Sequence, residues 1–257
     1  MEDFPMKLGA QLYTLRAYTQ TLEEFAETLK KVADIGYRSV QVSGTCPYDP
    51  EWLAEALKAA GLTCDLTHFN YDAIIENPEK VAADHKKFGC KYVGIGAMPN
   101  GFEGYENFMA KTPAAAKKIA EAGSYLMYHN HAFEYLNEVE GKPALHVIAE
   151  KIPATDMGFT LDTHWVKAGG YDPVEEIKRF AGRIPCVHYK DLIFDEEGTR
   201  KFAVVGEGTL DMEGITQAFI EAGAEYAFVE QDNCYGEDPF ACLKRSHDYL
   251  RSIGLKD

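Results

Sequence analysis

Residues Gly158–Asp191 read GFTLDTHWVKAGGYDPVEEIKRFAGRIPCVHYKD, and the rest of the chain is organised around this stretch. Two short apolar runs, beginning at Met157 and Ile184, end abruptly in Asp162 and His188, two potential metal ligands. Between them a helix-like segment follows the Asp172-Pro173 start, proline being tolerated in a first helical turn. A carboxylate ending one strand and an imidazole ending the next can converge only if the two strands are parallel neighbours. Parallel strands finish on one face, where their terminal side chains can share a ligand.

The same unit recurs outward in both directions. An amphipathic run, a glycine and a short apolar run appear at Gly36, Gly61, Gly89, Gly123, Gly182 and Gly223. Glycine just past a helix closes the last turn in the left-handed conformation at little steric cost. One unit uses Ile152-Pro153 instead, and Gly254 follows the final helix-like run. Leu22, Phe25, Leu29 and Val32 form one helical stripe; Leu53, Ala56, Leu57 and Ala60 form another; Phe240, Leu243 and Leu250 form a third. With the opening run Leu8–Tyr13, eight strands are predicted near 7–13, 38–42, 63–68, 91–96, 124–129, 157–162, 184–188 and 225–230. Eight strand–helix units with short connections predict a (β/α)8 TIM barrel, an α/β fold of one domain over residues 1–257, in preference to an open doubly wound sheet.

Bulk properties narrow the function. No apolar run reaches 18 residues, so no membrane-spanning helix is expected. The opening MEDFPMKLGA lacks the basic and apolar regions of a secretory leader. Six cysteines without a C-x-x-C pair read as free thiols of a reducing compartment, and a cytoplasmic location is expected. A net charge of −15 disfavours nucleic acid, whose binding draws on basic side chains. A small-molecule partner is expected, and self-association into a homo-oligomer is left open.

In a barrel of this kind function sits where strands finish. Strand 3 ends in His68, strand 5 runs into Tyr128-His-Asn-His-Ala-Phe-Glu134, strand 6 ends in Asp162, strand 7 in His188 and strand 8 in Glu230. Taken singly, each has a plainer reading: Glu134 as a solvated loop carboxylate, Asp162 as a helix cap and His188 as a hydrogen-bonded rim histidine. Glu230 closes the apolar run Tyr226–Val229, where an unpaired charge would be costly. All four at strand ends of one face point to a shared site. Three oxygen donors and one nitrogen donor suit Mn2+, Mg2+ or Co2+, with Zn2+ also compatible.

The pieces GAQLYTLR (9–16), YHNHAFEY (128–135), LDTHWVKAGG (161–170), RIPCVHYKDL (183–192), VGEGTLD (205–211) and VEQD (229–232), in this order and spacing, resemble the xylose isomerase-like barrel superfamily. This is the group of the sugar phosphate isomerases/epimerases. The resemblance implies one divalent ion held by Glu134, Asp162, His188 and Glu230. It also implies that Glu134 and Glu230 face opposite sides of a sugar and move its protons. His131 and Lys190 fall at positions that touch substrate in such enzymes, joined by His68 and His164, with Tyr13, Phe133 and Trp165 as pocket-lining aromatics. The implied function is a metal-dependent carbohydrate isomerase or epimerase.

The chemistry suits these residue types: moving a proton beside a carbonyl needs a base, an acid and an electrophile for the enediolate. The long segment between His188 and Met212 carries Lys190, Arg200 and Lys201, where barrels of this type often hold phosphate, yet shows no glycine-rich phosphate cradle. The superfamily's three-zinc apurinic-site endonucleases fit poorly. Strand 4 ends without histidine, His164 follows Asp162 by two residues rather than three, and Phe202–Gly208 replaces a D-x-H pair. A non-catalytic sugar-binding barrel fits less well because both glutamates are present. A lyase or dehydratase acting on a keto-inositol or 3-keto-glycoside shares the same motifs and the same proton abstraction, and stands as the alternative.

Overall fold

The computed structural model describes residues 6–256. The expected absence of a leader concerns residues 1–5, which lie outside the described residues. Eight strands close a barrel: β1 (Lys7–Gln11), β2 (Ser39–Val42), β3 (Thr63–Thr67), β4 (Tyr92–Ile95), β5 (Tyr125–His129), β6 (Met157–Asp162), β7 (Cys186–Tyr189) and β8 (Tyr226–Val229). Every strand is parallel to its sequence neighbours, and β1 pairs with β8 to complete the ring. The predicted eight strands are thus present, each within two residues of its expected bounds. The first stops at Gln11 because Leu12–Tyr18 turns into a 3-10 helix, started by the Gln11 side chain accepting from Tyr13 N.

Local chemistry sets the outer layer. Thr21 and Glu24 form a capping box at the start of helix Leu22–Ile35. Three helices begin with the same aspartate–proline pair: Asp49-Pro50, Asp172-Pro173 and Asp238-Pro239. In each the carboxylate accepts a backbone N–H of the first turn while proline occupies a position with no donor to waste. Two hairpins interrupt the alternation at the rim: Glu138–Val139 with Lys142–Pro143, and Asp191–Phe194 with Arg200–Ala203. The second occupies the long segment after β7.

Packing separates two apolar regions. The large one lies between strands and helices and includes Leu126 and Tyr128 of β5. The small one fills the lower lumen with Leu66, Tyr92, Met127, Cys186 and Phe228, against Tyr125 and Tyr226. Gly9 and Gly158 make room for this plug, since a Cβ at either would lie 2.7 Å from the ring of Phe228 or Tyr125 respectively. Strand side chains alternate between the two regions. On β5, Tyr125 and Met127 face the lumen while Leu126 and Tyr128 face the helices, so His129 returns to the lumen. That alternation decides which residues reach the site. Among the described residues no helix is long and apolar enough to cross a membrane.

Candidate metal centre

Above the plug, the inward positions become polar. His129 ends β5, Asp162 ends β6, His188 sits in β7 and Glu230 follows β8. All four are buried, and one ligand atom from each lies within 4.8 Å of every other. The group could hold a metal ion. His188 Nδ1 is the clearest sign: it lies 3.1 Å from Glu230 Oε2 and 3.5 Å from Asp162 Oδ2, yet makes no aligned hydrogen bond. A buried ring nitrogen between two carboxylates with no hydrogen-bonding partner is what a ligand looks like. Two imidazole nitrogens and two carboxylate oxygens form a donor set suited to borderline divalent ions.

The remaining donors of these side chains are committed to the protein. His129 Nδ1 lies 2.8 Å from Gly96 O, and His188 Nε2 lies 2.6 Å from Gln41 Oε1. Asp162 Oδ1 caps the helix Thr163–Ala168 through Trp165 N at 3.0 Å, leaving Oδ2 for the cluster. Glu230 Oε1 accepts from Gln11 Nε2 at 2.8 Å. Cap and ligand, alternative readings of Asp162 in the sequence, are therefore compatible, since the cap uses only Oδ1.

Lys190 neutralises the carboxylates. Its ammonium, buried, lies 2.9 Å from Glu230 Oε2, 3.5 Å from Asp162 Oδ2 and 2.6 Å from Asp232 Oδ1. Burial alone would push the acids up, but the charge of Lys190 with the nearby imidazoles holds Asp162 and Glu230 well below the usual carboxylate range. Burial likewise acts to lower Lys190, and the three carboxylates more than offset it, so its pKa is raised.

A cavity of about 440 Å³ opens directly over the cluster, bounded by His68, His131, Lys190 and Asp232, with Tyr13, Phe69 and Tyr71 on its apolar side. His68 Nε2 and His131 Nδ1 are buried without a hydrogen-bond partner. Burial, with the imidazoles of His129 and His188 beside it, holds His68 well below its ordinary value. His131 is pushed down to about 3, by burial first and then by His129 and Lys190. Both are neutral rings at physiological pH.

The sequence profile of the Xylose isomerase-like TIM barrel matches residues 29–253. The chain belongs to that family. It is 24% identical to an inosose dehydratase of Geobacillus kaustophilus, over 87% of this chain and 85% of that protein. The fold is shared with a sugar phosphate isomerase/epimerase of Parabacteroides distasonis, at a TM-score of 0.80 and 19% identity, covering 96% of this chain and 94% of that one. It is also shared with an L-ribulose 3-epimerase, at 0.72 and 16%, covering 97% and 94%.

Of the residues that the sequence singled out, Asp162, His188 and Glu230 lie in the buried group with His129, and Tyr13, His68, His131 and Lys190 border the cavity. Glu134 does not join the four. It sits in the short helix Phe133–Leu136, where Oε1 accepts from Tyr128 Oη at 2.5 Å and Oε2 from His131 N at 2.8 Å. Tyr128 faces the helix layer, so its hydrogen bond holds the Glu134 carboxylate on that side, and the β5 member of the buried group is His129. Burial raises the Glu134 pKa from 4.5 to about 8. His164 stacks on Phe202 at 4.5 Å with Nδ1 3.1 Å from Asp191 O, beneath the hairpin rather than on the cavity. Trp165 lies beside it, its ring 5.2 Å from both Lys190 Nζ and the Arg200 guanidinium, and Phe133 stacks on His131 at 5.8 Å.

Lys190 and Lys201 after β7, and the VGEGTLD segment, are engaged within the chain. Lys201 pairs with Asp195 at 3.0 Å. The buried Asp191 carboxylate accepts from the backbone N–H groups of Leu192, Gly206, Gly208 and Leu210 at 2.8–3.2 Å. The glycines there wrap the chain's own carboxylate, and a Cβ on Gly208 would stand 2.3 Å from Asp191 Oδ1. Gln11, Gln41 and Asp232 are site neighbours that sequence reasoning missed. Counting inward positions back from the strand ends would have found the two glutamines.

Proposed function

We propose that this chain is a divalent-metal-dependent enzyme that transfers a proton beside a carbonyl of a small carbohydrate, as an isomerase or epimerase. The observation that carries the reading is the buried His129–Asp162–His188–Glu230 group at the floor of a polar cavity. A bound ion would act as Lewis acid and template for a carbonyl–hydroxyl pair. With two imidazoles in the donor set, Mn2+, Co2+ or Zn2+ suits the site better than Mg2+. Glu230 moves the proton, being the one glutamate of the expected pair that borders the cavity. Lys190 holds that carboxylate ionised and so ready to accept. His68 and His131 take substrate hydroxyls at their unpaired nitrogens, and Tyr13 packs against a sugar face at the mouth.

A second reading, a dehydratase-type lyase acting on a keto-inositol or related keto-sugar, is favoured by the position of Glu134. An epimerase returns a proton from the opposite face and needs a second carrier there. Elimination needs only proton removal and assistance to the leaving hydroxyl, and Lys190 and Glu230 lie on one side together. Similarity to an inosose dehydratase supports the same reading.

The test is incubation of the Mn2+-loaded chain with keto-sugars and keto-inositols in deuterated water, followed by NMR. An isomerase or epimerase yields a rearranged sugar that is an isomer of the substrate apart from the deuterium it has taken up. A lyase yields an unsaturated ketone or its tautomer with loss of water. Absence of both exchange and product across the panel, in protein carrying its ion, would refute both readings.

A further inference from the structure

Two fully buried amides lie behind the metal centre with no part in the chemistry above. Gln11 ends β1 and Gln41 lies opposite it on β2, and neither is exposed. A primary amide brings several hydrogen-bonding positions into the lumen, and leaving them unmet is costly. Gln41 Nε2 is left unmet. Apolar residues of similar size would be cheaper there, unless the amides have a task.

Their hydrogen bonds define the task. Gln11 Oε1 accepts from Tyr13 N at 2.5 Å, and because a backbone N–H can only donate, the amide must present its NH2 to Glu230 Oε1, 2.8 Å away. Glu230 is thereby turned with Oε2 toward His188 and the cluster. Gln41 Oε1 lies 2.6 Å from His188 Nε2. With its oxygen on that side, Gln41 calls for a proton on Nε2 and leaves the Nδ1 lone pair facing the carboxylates.

We infer that Gln11 and Gln41 are positioning residues of the metal centre, Gln11 fixing the rotation of Glu230 and Gln41 fixing the tautomer of His188. The inference rests on the metal reading above. It carries a stereochemical corollary. His129 has its Nδ1 against the carbonyl of Gly96, which can only accept, so its proton sits on Nδ1 and its ligand atom is Nε2. The two histidines therefore bind the ion through different nitrogens, Nε2 of His129 and Nδ1 of His188, each dictated by an acceptor behind it.

Zinc serves as the probe because it is diamagnetic. Long-range proton–nitrogen correlation on the Zn2+-loaded, 15N-labelled chain should show His129 protonated at Nδ1 and His188 protonated at Nε2, with the other nitrogen of each shifted by the metal. His188 bound through Nε2 overturns the inference without any substitution being made. In parallel, competition with a chromophoric chelator should show Zn2+ affinity lowered roughly 10- to 100-fold in Gln41→Leu and Gln11→Leu. Gln41→Glu, which keeps an acceptor for Nε2–H, should bind at least as tightly as the parent. Parental affinity in Gln41→Leu also overturns it. If the unsubstituted chain takes up no ion, the metal reading itself fails and this assignment falls with it, an outcome distinct from uptake with the wrong nitrogen.

Discussion

At the scale of single residues, the decisive contrast is between the two glutamates. Glu230 lies in the cluster with Lys190 beside it, whereas both oxygens of Glu134 are held by Tyr128 and the backbone of His131. Glu230→Gln should therefore lower divalent-ion content and turnover together, while Glu134→Gln should keep its ion, as read by elemental analysis after dialysis. Loss of the ion from Glu134→Gln would restore that residue to the ligand set. Glu134 also makes a pH prediction. Its folded-state pKa, about 8, lies above its ordinary 4.5, so between those values the folded chain holds a proton that the unfolded chain has released. Stability must then fall as pH rises from 4.5 through 8, with a slope of about 1.4 kcal/mol per pH unit from this group alone, and level off above. Urea unfolding of metal-free protein between pH 6 and pH 9 should show this decline. In Glu134→Gln that component should be absent, on a baseline lowered by about 1–3 kcal/mol for the lost acceptor.

At the scale of elements, β5 and the segment after β7 explain what the sequence discloses and what it hides. Strand number and order are legible because each unit ends in a left-handed glycine or an equivalent break, and such positions tolerate few other residues. Asp162, His188 and Glu230 are legible because each directly ends or closely follows an apolar run. His129 is harder to single out, lying among polar residues in Tyr128-His-Asn-His-Ala-Phe-Glu134, where chemistry favours the glutamate. The distinction depends on side-chain alternation along β5, which stops when the chain bends into the turn before Phe133–Leu136. VGEGTLD is legible as a loop but not as a wrap around Asp191, since the carboxylate it encloses lies 15 to 19 residues away. Replacing that carboxylate by an amide sets an NH2 among four backbone donors that need an acceptor. Asp191→Asn should accelerate hydrogen exchange at Gly206, Gly208 and Leu210 while strand amides keep their protection. Uniform acceleration throughout the barrel would show that the loop and barrel open as one unit.

At the scale of the molecule, the four residues that could hold an ion come from β5 to β8, so an ion bound there would tie together four successive strands of the ring. An ion bound only by the folded chain stabilises it by about 2.7 kcal/mol at a hundredfold excess over Kd. Thermal unfolding should rise with added Mn2+ or Zn2+ and fall to a chelator-independent floor in His188→Ala. A parental chain whose unfolding ignores the ion would separate the cluster from metal binding. The chain's net charge of −15 makes the buried cation Lys190 a local exception, held where three carboxylates converge. The aromatic plug below the cluster has a further consequence for traffic. Because Phe228, Tyr92 and Met127 fill the lumen, the cavity is a well with one mouth. Whatever enters must turn around and leave past Tyr13 and Tyr71, and any long substituent must trail outward. Substrate and product thus contend for the same doorway as well as the same seat, and product should inhibit in strict competition with substrate, raising KM without lowering kcat.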